Sequence, residues 1–214
     1  MNGFIVTGTD TGIGKTAFSA ALSGALGSFY WKPIQAGLEG ETDSHAVRRL
    51  SGLPCERILP EAYRLKLPAS PHIAAAREGI GIKPERLPLP VASPLVIEGA
   101  GGLLVPLSGT LLQIDQFASW GLPVVLCAST RLGTINHTLL SLEALAMRQI
   151  HVHGIAFIGE AAEEVENTIV AFGGVPFLGR LPFVDPLDAF HLAAAFRANF
   201  DLSAFDGRRC DEAA

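Results

Sequence analysis

Short, continuous apolar runs recur along the chain and alternate with longer stretches in which apolar residues repeat at helical spacing. The runs are rich in β-branched and aromatic residues, and they occupy residues 4–6, 29–31, 95–97, 124–127, 155–158 and 175–179. Strands that are buried on both faces need such unbroken apolarity, which is typical of a parallel sheet. The pattern therefore predicts six buried strands.

The stretches between the runs predict helices at residues 16–26, 43–50, 136–147, 163–172 and 186–199. Strands that alternate with helices of this length indicate the α/β class: a single doubly wound, mostly parallel sheet with helices on both faces. Residues 80–94 contain four prolines, and residues before proline avoid the helical conformation, so we expect an extended connection there. We assign residues 1–205 to one domain and expect the polar segment 206–214 to be a frayed tail.

Composition narrows the class of protein. Hydrophobic residues make up 49% of the chain and charged residues 17%, which excludes an intrinsically disordered protein. The net charge of −5, without a basic stripe, argues against a nucleic-acid partner. No uninterrupted apolar stretch reaches about 18 residues, so no membrane span is predicted. Three scattered cysteines (Cys55, Cys127 and Cys210) and the lack of a signal-peptide pattern indicate a reduced, cytoplasmic protein. The six histidines show no metal-ligand spacing, and His151 and His153 are expected at the surface.

The sequence GTDTGIGKT at residues 8–16 follows the first predicted strand and opens the first predicted helix. Successive backbone N–H groups at a helix N-terminus can bind a phosphate, so this context indicates a phosphate-binding loop of the P-loop NTPase type. Lys15 would reach the β and γ phosphates of a nucleotide, and the Thr16 hydroxyl would bind Mg²⁺. A strict Walker A motif has its first glycine at position 9, where this chain has Thr9. The loop is therefore a modified form of that motif.

Three charged residues are candidates for the same site. Glu98 ends the run 95–97, and a carboxylate there is costly to bury unless it meets a cation. Lys32 follows the run 29–31, as either a site residue or a surface lysine. Asp43 near the start of a helix is either a Mg²⁺ ligand or an N-cap, and taken alone the cap is the simpler interpretation. Ligands bind open α/β sheets at the carboxyl ends of the strands, where Glu98 and Lys32 are predicted.

Several segments together resemble the dethiobiotin synthetase family of P-loop NTPases. They are residues 7–16, 31–35, 43–44, 96–106 and 132–138, in the family order, and the displaced first glycine is itself the family's form. The resemblance implies a reaction in which 7,8-diaminononanoate, CO₂ (or bicarbonate) and MgATP give dethiobiotin. One amine takes up CO₂ as a carbamate, ATP phosphorylates the carbamate, and the second amine closes the cyclic urea with release of ADP and phosphate.

The resemblance also implies roles for residues at matching positions. The implied catalytic residues are Lys32, Lys15 and Thr11, and the implied Mg²⁺ ligands are Thr16, Asp43 and Glu98. The implied nucleotide-binding residues are Gly12, Ile13, Gly14, Lys15, Thr16, Ala17, Asp43, Glu98, Gly99, Ala100, Gly101, Ile158, Gly159, Pro182, Phe183 and Val184. The implied substrate-binding residues are Lys32, Ala36, Gly102, Gly133, Thr134 and Asn136. The last three would act from the neighbouring subunit of a homodimer, and Asn136 could also be a helix N-cap.

Two positions depart from the family pattern. Ala36 stands where the family often has a hydroxyl side chain, and Ile158 stands where an asparagine usually binds adenine. Isoleucine has no hydrogen-bonding group, so we expect weaker base selection that relies on the backbone of residues 182–184.

Two other functions are alternatives, and one feature of the sequence argues against each. A ParA/MinD-like dimerising ATPase switch would carry an extra lysine early in the loop, which this chain lacks. An amidoligase of the cobyrinate type would need a glutaminase domain, for which 214 residues are too few.

Overall fold

The computed structural model describes residues 2–205. Within them, seven strands form one parallel sheet in the order β4-β2-β6-β1-β7-β8-β9, and β3 and β5 form a separate parallel pair. The strands are β1 Gly3–Gly8, β2 Phe29–Trp31, β3 Ile34–Ala36, β4 Ile58–Leu59, β5 Tyr63–Leu65, β6 Leu95–Gly102, β7 Val124–Ser129, β8 Val152–Ile158 and β9 Phe177–Leu181. The α-helices are α1 Lys15–Leu26, α2 Asp43–Ser51, α3 Pro71–Arg77, α4 Gln113–Trp120, α5 Thr134–Ala146, α6 Glu163–Gly173 and α7 Ala189–Asn199. Short 3₁₀ helices lie at Cys55–Arg57, Pro84–Arg86 and Leu202–Phe205.

Neighbouring residues of each central strand face two different helical layers. Val6 of β1 packs in a core with residues of α1, α2 and α7, whereas Ile5 packs in a core with residues of α3, α4 and α5. On β7 and β8, Leu126 and Phe157 face α5 and α6. Because helices cover both faces of the sheet, consecutive residues of these strands, such as Val124–Leu126 and Ile155–Phe157, are apolar and buried. The prediction of a parallel sheet is confirmed.

The predicted strands and helices are all present, with changed ends. The last strand begins at Phe177 rather than 175. The last helix begins at Ala189 rather than 186, because the Asp188 side chain accepts a hydrogen bond from the His191 N–H and caps it there.

The pattern did not predict β3, β4, β5, α3 and α4. These strands have two or three residues and these helices seven or eight, which is too short for a periodic signal. The proline-rich segment 80–94 is irregular apart from the 3₁₀ helix at Pro84–Arg86. The predicted tail and Cys210 lie outside the described residues.

His153 is half-buried, although from the sequence we expect it at the surface. Its ring lies between Phe4 and Phe205, at centroid distances of 4.7 and 5.5 Å. Burial lowers the pKa of His153, with a further lowering by His151. In the part of the chain that the structure covers, no helix is both long and apolar enough to span a bilayer.

Candidate active site

The phosphate loop connects β1 to α1 and closes over its own lysine. Gly14 precedes α1 with φ at 99°, and a Cβ there would lie 2.8 Å from Ile158 Cγ2, so both backbone and space require glycine. Lys15 Nζ donates to the Asp10 carbonyl at 2.6 Å. Burial, and then the nearby Lys32, lowers the pKa of Lys15. The lysine is thus held across the loop, at the place where a nucleotide phosphate would meet it.

A second buried lysine binds two carboxylates beside the loop. Lys32 Nζ lies 2.7 Å from Asp43 Oδ2 and 3.2 Å from Glu98 Oε1, and it donates to the Gly99 carbonyl at 3.0 Å. Lys32 is 4% exposed and Glu98 1%. Burial alone would lower the pKa of Lys32, but the two carboxylates outweigh it and raise this pKa. Burial opposes ionisation of Asp43 too, and Lys32 overcomes it, so the pKa of Asp43 lies below its usual value.

The Thr16 hydroxyl joins the same group of oxygens. Its Oγ1 lies 2.9 Å from Glu98 Oε1 and 3.1 Å from Asp43 Oδ1. The hydroxyl has one proton and can donate to only one of these two carboxylate oxygens at a time. One hydroxyl and two carboxylates are the hard oxygen ligands that Mg²⁺ takes while keeping several waters. The residues present therefore fit this ion.

The Asp43 side chain contacts Lys32 and Thr16 and does not cap α2. Thr42 is the N-cap, and its hydroxyl accepts from the His45 N–H at 3.4 Å. The interpretation of Asp43 as a cap was wrong. Among residues 2–205, no group of three or more His, Cys, Asp or Glu side chains is arranged to hold a metal ion. The oxygen set at Thr16 needs only two carboxylates, so it is a different kind of site.

Three buried polar residues that sequence reasoning missed support this site. Tyr30 donates its hydroxyl to Glu98 Oε2 at 3.0 Å, and burial followed by Glu98 raises the pKa of Tyr30. Gln35 Oε1 accepts from the Asp43 N–H at 3.1 Å. Gln113 ties the end of β6 with Oε1 2.7 Å from the Ala100 nitrogen and Nε2 2.9 Å from the Gly102 carbonyl. Tyr30 could have been found from its position two residues before Lys32, since alternate strand residues share a face.

A cleft of about 440 Å³ extends from the phosphate loop along the carboxyl ends of β7, β8 and β9. Most of the predicted nucleotide-binding residues of the loop, of the end of β8 and of the segment after β9 line this cleft. They are Gly12, Ile13, Gly14, Ala17, Ile158, Pro182, Phe183 and Val184. Gly159, at the end of β8, donates its N–H to the Leu181 carbonyl at 3.0 Å. The floor and walls are mainly apolar, which suits the face of a nucleotide base.

The end of β6, after Glu98, lies against the phosphate loop. A Cβ on Gly101 would be 3.1 Å from Thr11 Oγ1, and one on Gly102 would be 3.5 Å from the carbonyl of Gly8. The structure thus brings together Thr11, the last residues of β6 with Gly99 and Ala100, and the Lys32 cluster. Glu98 and Gly99 are 66 and 67 residues from Lys32 in the sequence.

The remaining predicted substrate residues are spread more widely. Ala36 ends β3 in the small sheet, where its carbonyl accepts from the Gln35 side chain at 3.3 Å. Gly133 is the N-cap of α5, so the alternative interpretation of Asn136 as the cap was wrong. Asn136 is exposed, whereas Thr134 is buried, lines the cleft, and has its hydroxyl 3.4 Å from that of Thr138.

Comparison with known proteins gives matches over nearly the whole chain. A protein-family model described as an AAA domain matches residues 2–190. Over 202 residues the chain is 61% identical to the ATP-dependent dethiobiotin synthetase BioD of Rhodopseudomonas palustris (strain HaA2), with 94% of this chain and 95% of the relative covered. Over 204 residues it is 59% identical to the protein of the same name from Brucella melitensis biotype 2, with 95% and 96% covered. The likeness is therefore not confined to the phosphate loop.

Solved structures of lower identity share the fold. A ParA family ATPase from Chlorobium tepidum TLS matches with a TM-score of 0.57 at 13% identity, covering 92% of this chain and 91% of that one. The MinC:MinD cell division complex from Aquifex aeolicus matches with a TM-score of 0.55, also at 13% identity, covering 91% and 86%. These likenesses confirm the predicted fold class and carry no information on activity.

Proposed function

Because the chain belongs to the family of ATP-dependent dethiobiotin synthetases, we propose that it is a ligase that converts 7,8-diaminononanoate and CO₂ into dethiobiotin at the expense of ATP. The observation that carries the proposal is the convergence of Lys15, Thr16, Lys32, Asp43 and Glu98 beside a phosphate loop. Two lysines, three oxygens of the kind that Mg²⁺ prefers and a cleft of about 440 Å³ lie together there.

The proposed reaction has three steps. One amine of the substrate adds to CO₂ and loses a proton, which gives a carbamate. A carbamate oxygen attacks the γ-phosphorus of ATP, the bond to the bridging oxygen breaks, and ADP leaves. The second amine then attacks the carbonyl carbon of this carbamic–phosphoric anhydride, the C–O bond breaks, and phosphate leaves as the amine loses a proton and the cyclic urea closes.

The two lysines supply fixed positive charge where negative charge develops. Lys15 has only a neutral carbonyl as its hydrogen-bond partner, so it can exchange the Asp10 oxygen for a phosphate oxygen at little cost. Lys32 is held between Asp43 and Glu98, next to Gly99 of β6, which we propose to border the carbamate. Preorganised donors in a dry site stabilise such charge more than water does. Mg²⁺ held by Thr16, Asp43 and Glu98 would add charge neutralisation at the β and γ phosphates.

We further propose a homodimer in which the start of α5 completes the partner's substrate site. Leu132 is fully exposed next to Gly133, and Asn136 is exposed on the same segment. Single exposed leucines are normal on protein surfaces, so the proposal is supported by the resemblance of residues 132–138 to the family rather than by Leu132. In this arrangement, Gly133 and Asn136 would bind the substrate carboxylate.

An assay of phosphate release tests the function directly. Purified protein is incubated with MgATP and bicarbonate, with and without 7,8-diaminononanoate, and dethiobiotin is identified by mass. We expect phosphate release to depend on the diamine and to match dethiobiotin formation in amount. Release at the same rate without the diamine would instead support an ATPase switch.

Base selection is a separate proposal. Ile158 packs against Gly14 at the end of β8 and offers the base no hydrogen bond, and the Gly159 N–H is already used by Leu181. A pair of hydrogen bonds to the base contributes roughly tenfold or more to the discrimination between bases. Because this chain lacks that pair, we expect kcat/KM values for ATP, GTP and CTP within about tenfold of one another. The Ile158→Asn variant should favour ATP. A preference for ATP of several hundredfold in the unchanged protein would contradict this proposal.

A further inference from the structure

We propose that Tyr30 is a positioning residue that orients the Glu98 carboxylate, so that only Oε1 faces Thr16, Lys32 and the bound metal ion. This inference rests on the proposed function insofar as that function places Mg²⁺ at Glu98. It concerns a residue that touches none of the reacting groups directly.

The two oxygens of Glu98 have separate partners. Oε2 accepts from the Tyr30 hydroxyl at 3.0 Å, whereas Oε1 lies 2.9 Å from Thr16 Oγ1 and 3.2 Å from Lys32 Nζ. The carboxylate is therefore held by both ends. A rotation that brought Oε2 toward Thr16 would break the bond to Tyr30.

Strand pairing places the two side chains together. Tyr30 of β2 lies opposite Val96 of β6, and Glu98 follows two residues later on the same face of that strand. Tyr30 is fully buried, in a core with Phe18 and Val47. Its ring cannot turn to bring the hydroxyl to water, so the donor stays aimed at Glu98.

Loss of the hydroxyl would leave Oε2 buried without a partner. A buried acceptor in that state is unfavourable, and the carboxylate can relieve it by rotating toward the donors at Thr16 and Lys32. Both oxygens of Glu98 would then compete for the hydrogen bonds of Thr16 and Lys32. Removal of partners that orient metal ligands typically weakens metal binding roughly 10–100-fold.

The test uses Tyr30→Phe with Tyr63→Phe as a matched control. The chain has only these two tyrosines, and both are buried. Tyr63 also uses its hydroxyl, which accepts from the Lys83 N–H at 2.9 Å in the region of the small sheet. Each variant therefore loses one buried hydroxyl, but only Tyr30 contacts a site residue.

Metal binding is measured in the ADP complex by calorimetry with Mg²⁺ and by spin resonance with Mn²⁺, and kcat and KM are measured in parallel. For Tyr30→Phe we expect a metal Kd roughly tenfold higher or more and a lower kcat, with the KM for the diamine unchanged. For Tyr63→Phe we expect a metal Kd within about twofold of the original value.

Unchanged metal affinity in Tyr30→Phe would overturn the inference, even if the variant melts at a lower temperature. An equal increase of the metal Kd in both variants would show a general loss of stability and would also overturn the inference. A complete lack of metal binding by the unchanged protein would overturn it too. The metal titration needs no diamine. If the protein bound metal as expected but formed no dethiobiotin, the proposed function would fail while the role of Tyr30 stood.

Discussion

Replacement of Lys32 by methionine should destabilise the protein in a way that Mg²⁺ reverses. Methionine keeps an unbranched chain of similar length but removes the ammonium group that lies within 3.2 Å of both Asp43 and Glu98. Two carboxylates then remain close together with a single proton from Thr16 between them. Removal of one partner of a buried ion pair costs about 3–5 kcal/mol. The Asp43 side chain is 32% exposed, so we expect a loss near the lower end, about 3 kcal/mol.

The measurement is urea unfolding of both proteins, once with a chelator and once with millimolar Mg²⁺. A cation bound between the two carboxylates takes over the charge balance, so the difference between Lys32→Met and the unchanged protein should shrink when Mg²⁺ is present. Dethiobiotin formation should fall by about 10²–10³-fold even with Mg²⁺, because one fixed donor of the site is gone.

Lys15→Met is the control for this experiment. Lys15 is also buried beside the loop, but its ammonium contacts only the Asp10 carbonyl. Its loss removes no ion-pair partner, and we expect a change within about 1 kcal/mol that does not depend on Mg²⁺. If Lys32→Met were as stable as the unchanged protein under chelating conditions, or lost equal stability with and without Mg²⁺, the reasoning would be refuted.

Two further predictions concern residues around and outside this cluster. Gln113→Leu leaves the Ala100 N–H and the Gly102 carbonyl without partners, so kcat should fall about tenfold or more, as measured by steady-state kinetics. Gln116→Leu should keep its kcat, because Gln116 donates to Ser119 rather than to the end of β6. Equal losses of kcat in the two variants would contradict the role of Gln113. Burial lowers the pKa of His153, so the folded protein binds a proton there only at a lower pH than the unfolded chain, in which histidine titrates near about pH 6.5. Its stabilising contribution is therefore complete above pH 6.5 and is lost as the pH falls through the folded-state pKa, so the free energy of unfolding of His153→Phe should depend less on pH between 7.5 and 5; an equal slope in both proteins would disprove this.

Local signals explain why much of the fold was predictable. Each buried strand is an apolar run of its own, and the phosphate loop is nine consecutive residues between a strand and a helix. The short elements β3, β5 and α4 carry no such signal, because their three to eight residues are ordered by packing against the rest of the molecule. The N-caps at Thr42 and Gly133 were missed for a similar reason, since neighbouring polar residues satisfied the pattern equally well.

By itself, the sequence determined the strand–helix alternation, the phosphate loop and the charged residues that follow the strands, because each depends on neighbours along the chain. Only the tertiary structure decided that Lys32 binds both Asp43 and Glu98, that Tyr30 binds the second oxygen of Glu98, and that Gln113 binds the end of β6. Tyr30 and Glu98 are 68 residues apart, and Thr16 and Glu98 are 82 apart. Their meeting depends on the order and register of β2, β6 and β1 in the sheet, which no local pattern specifies.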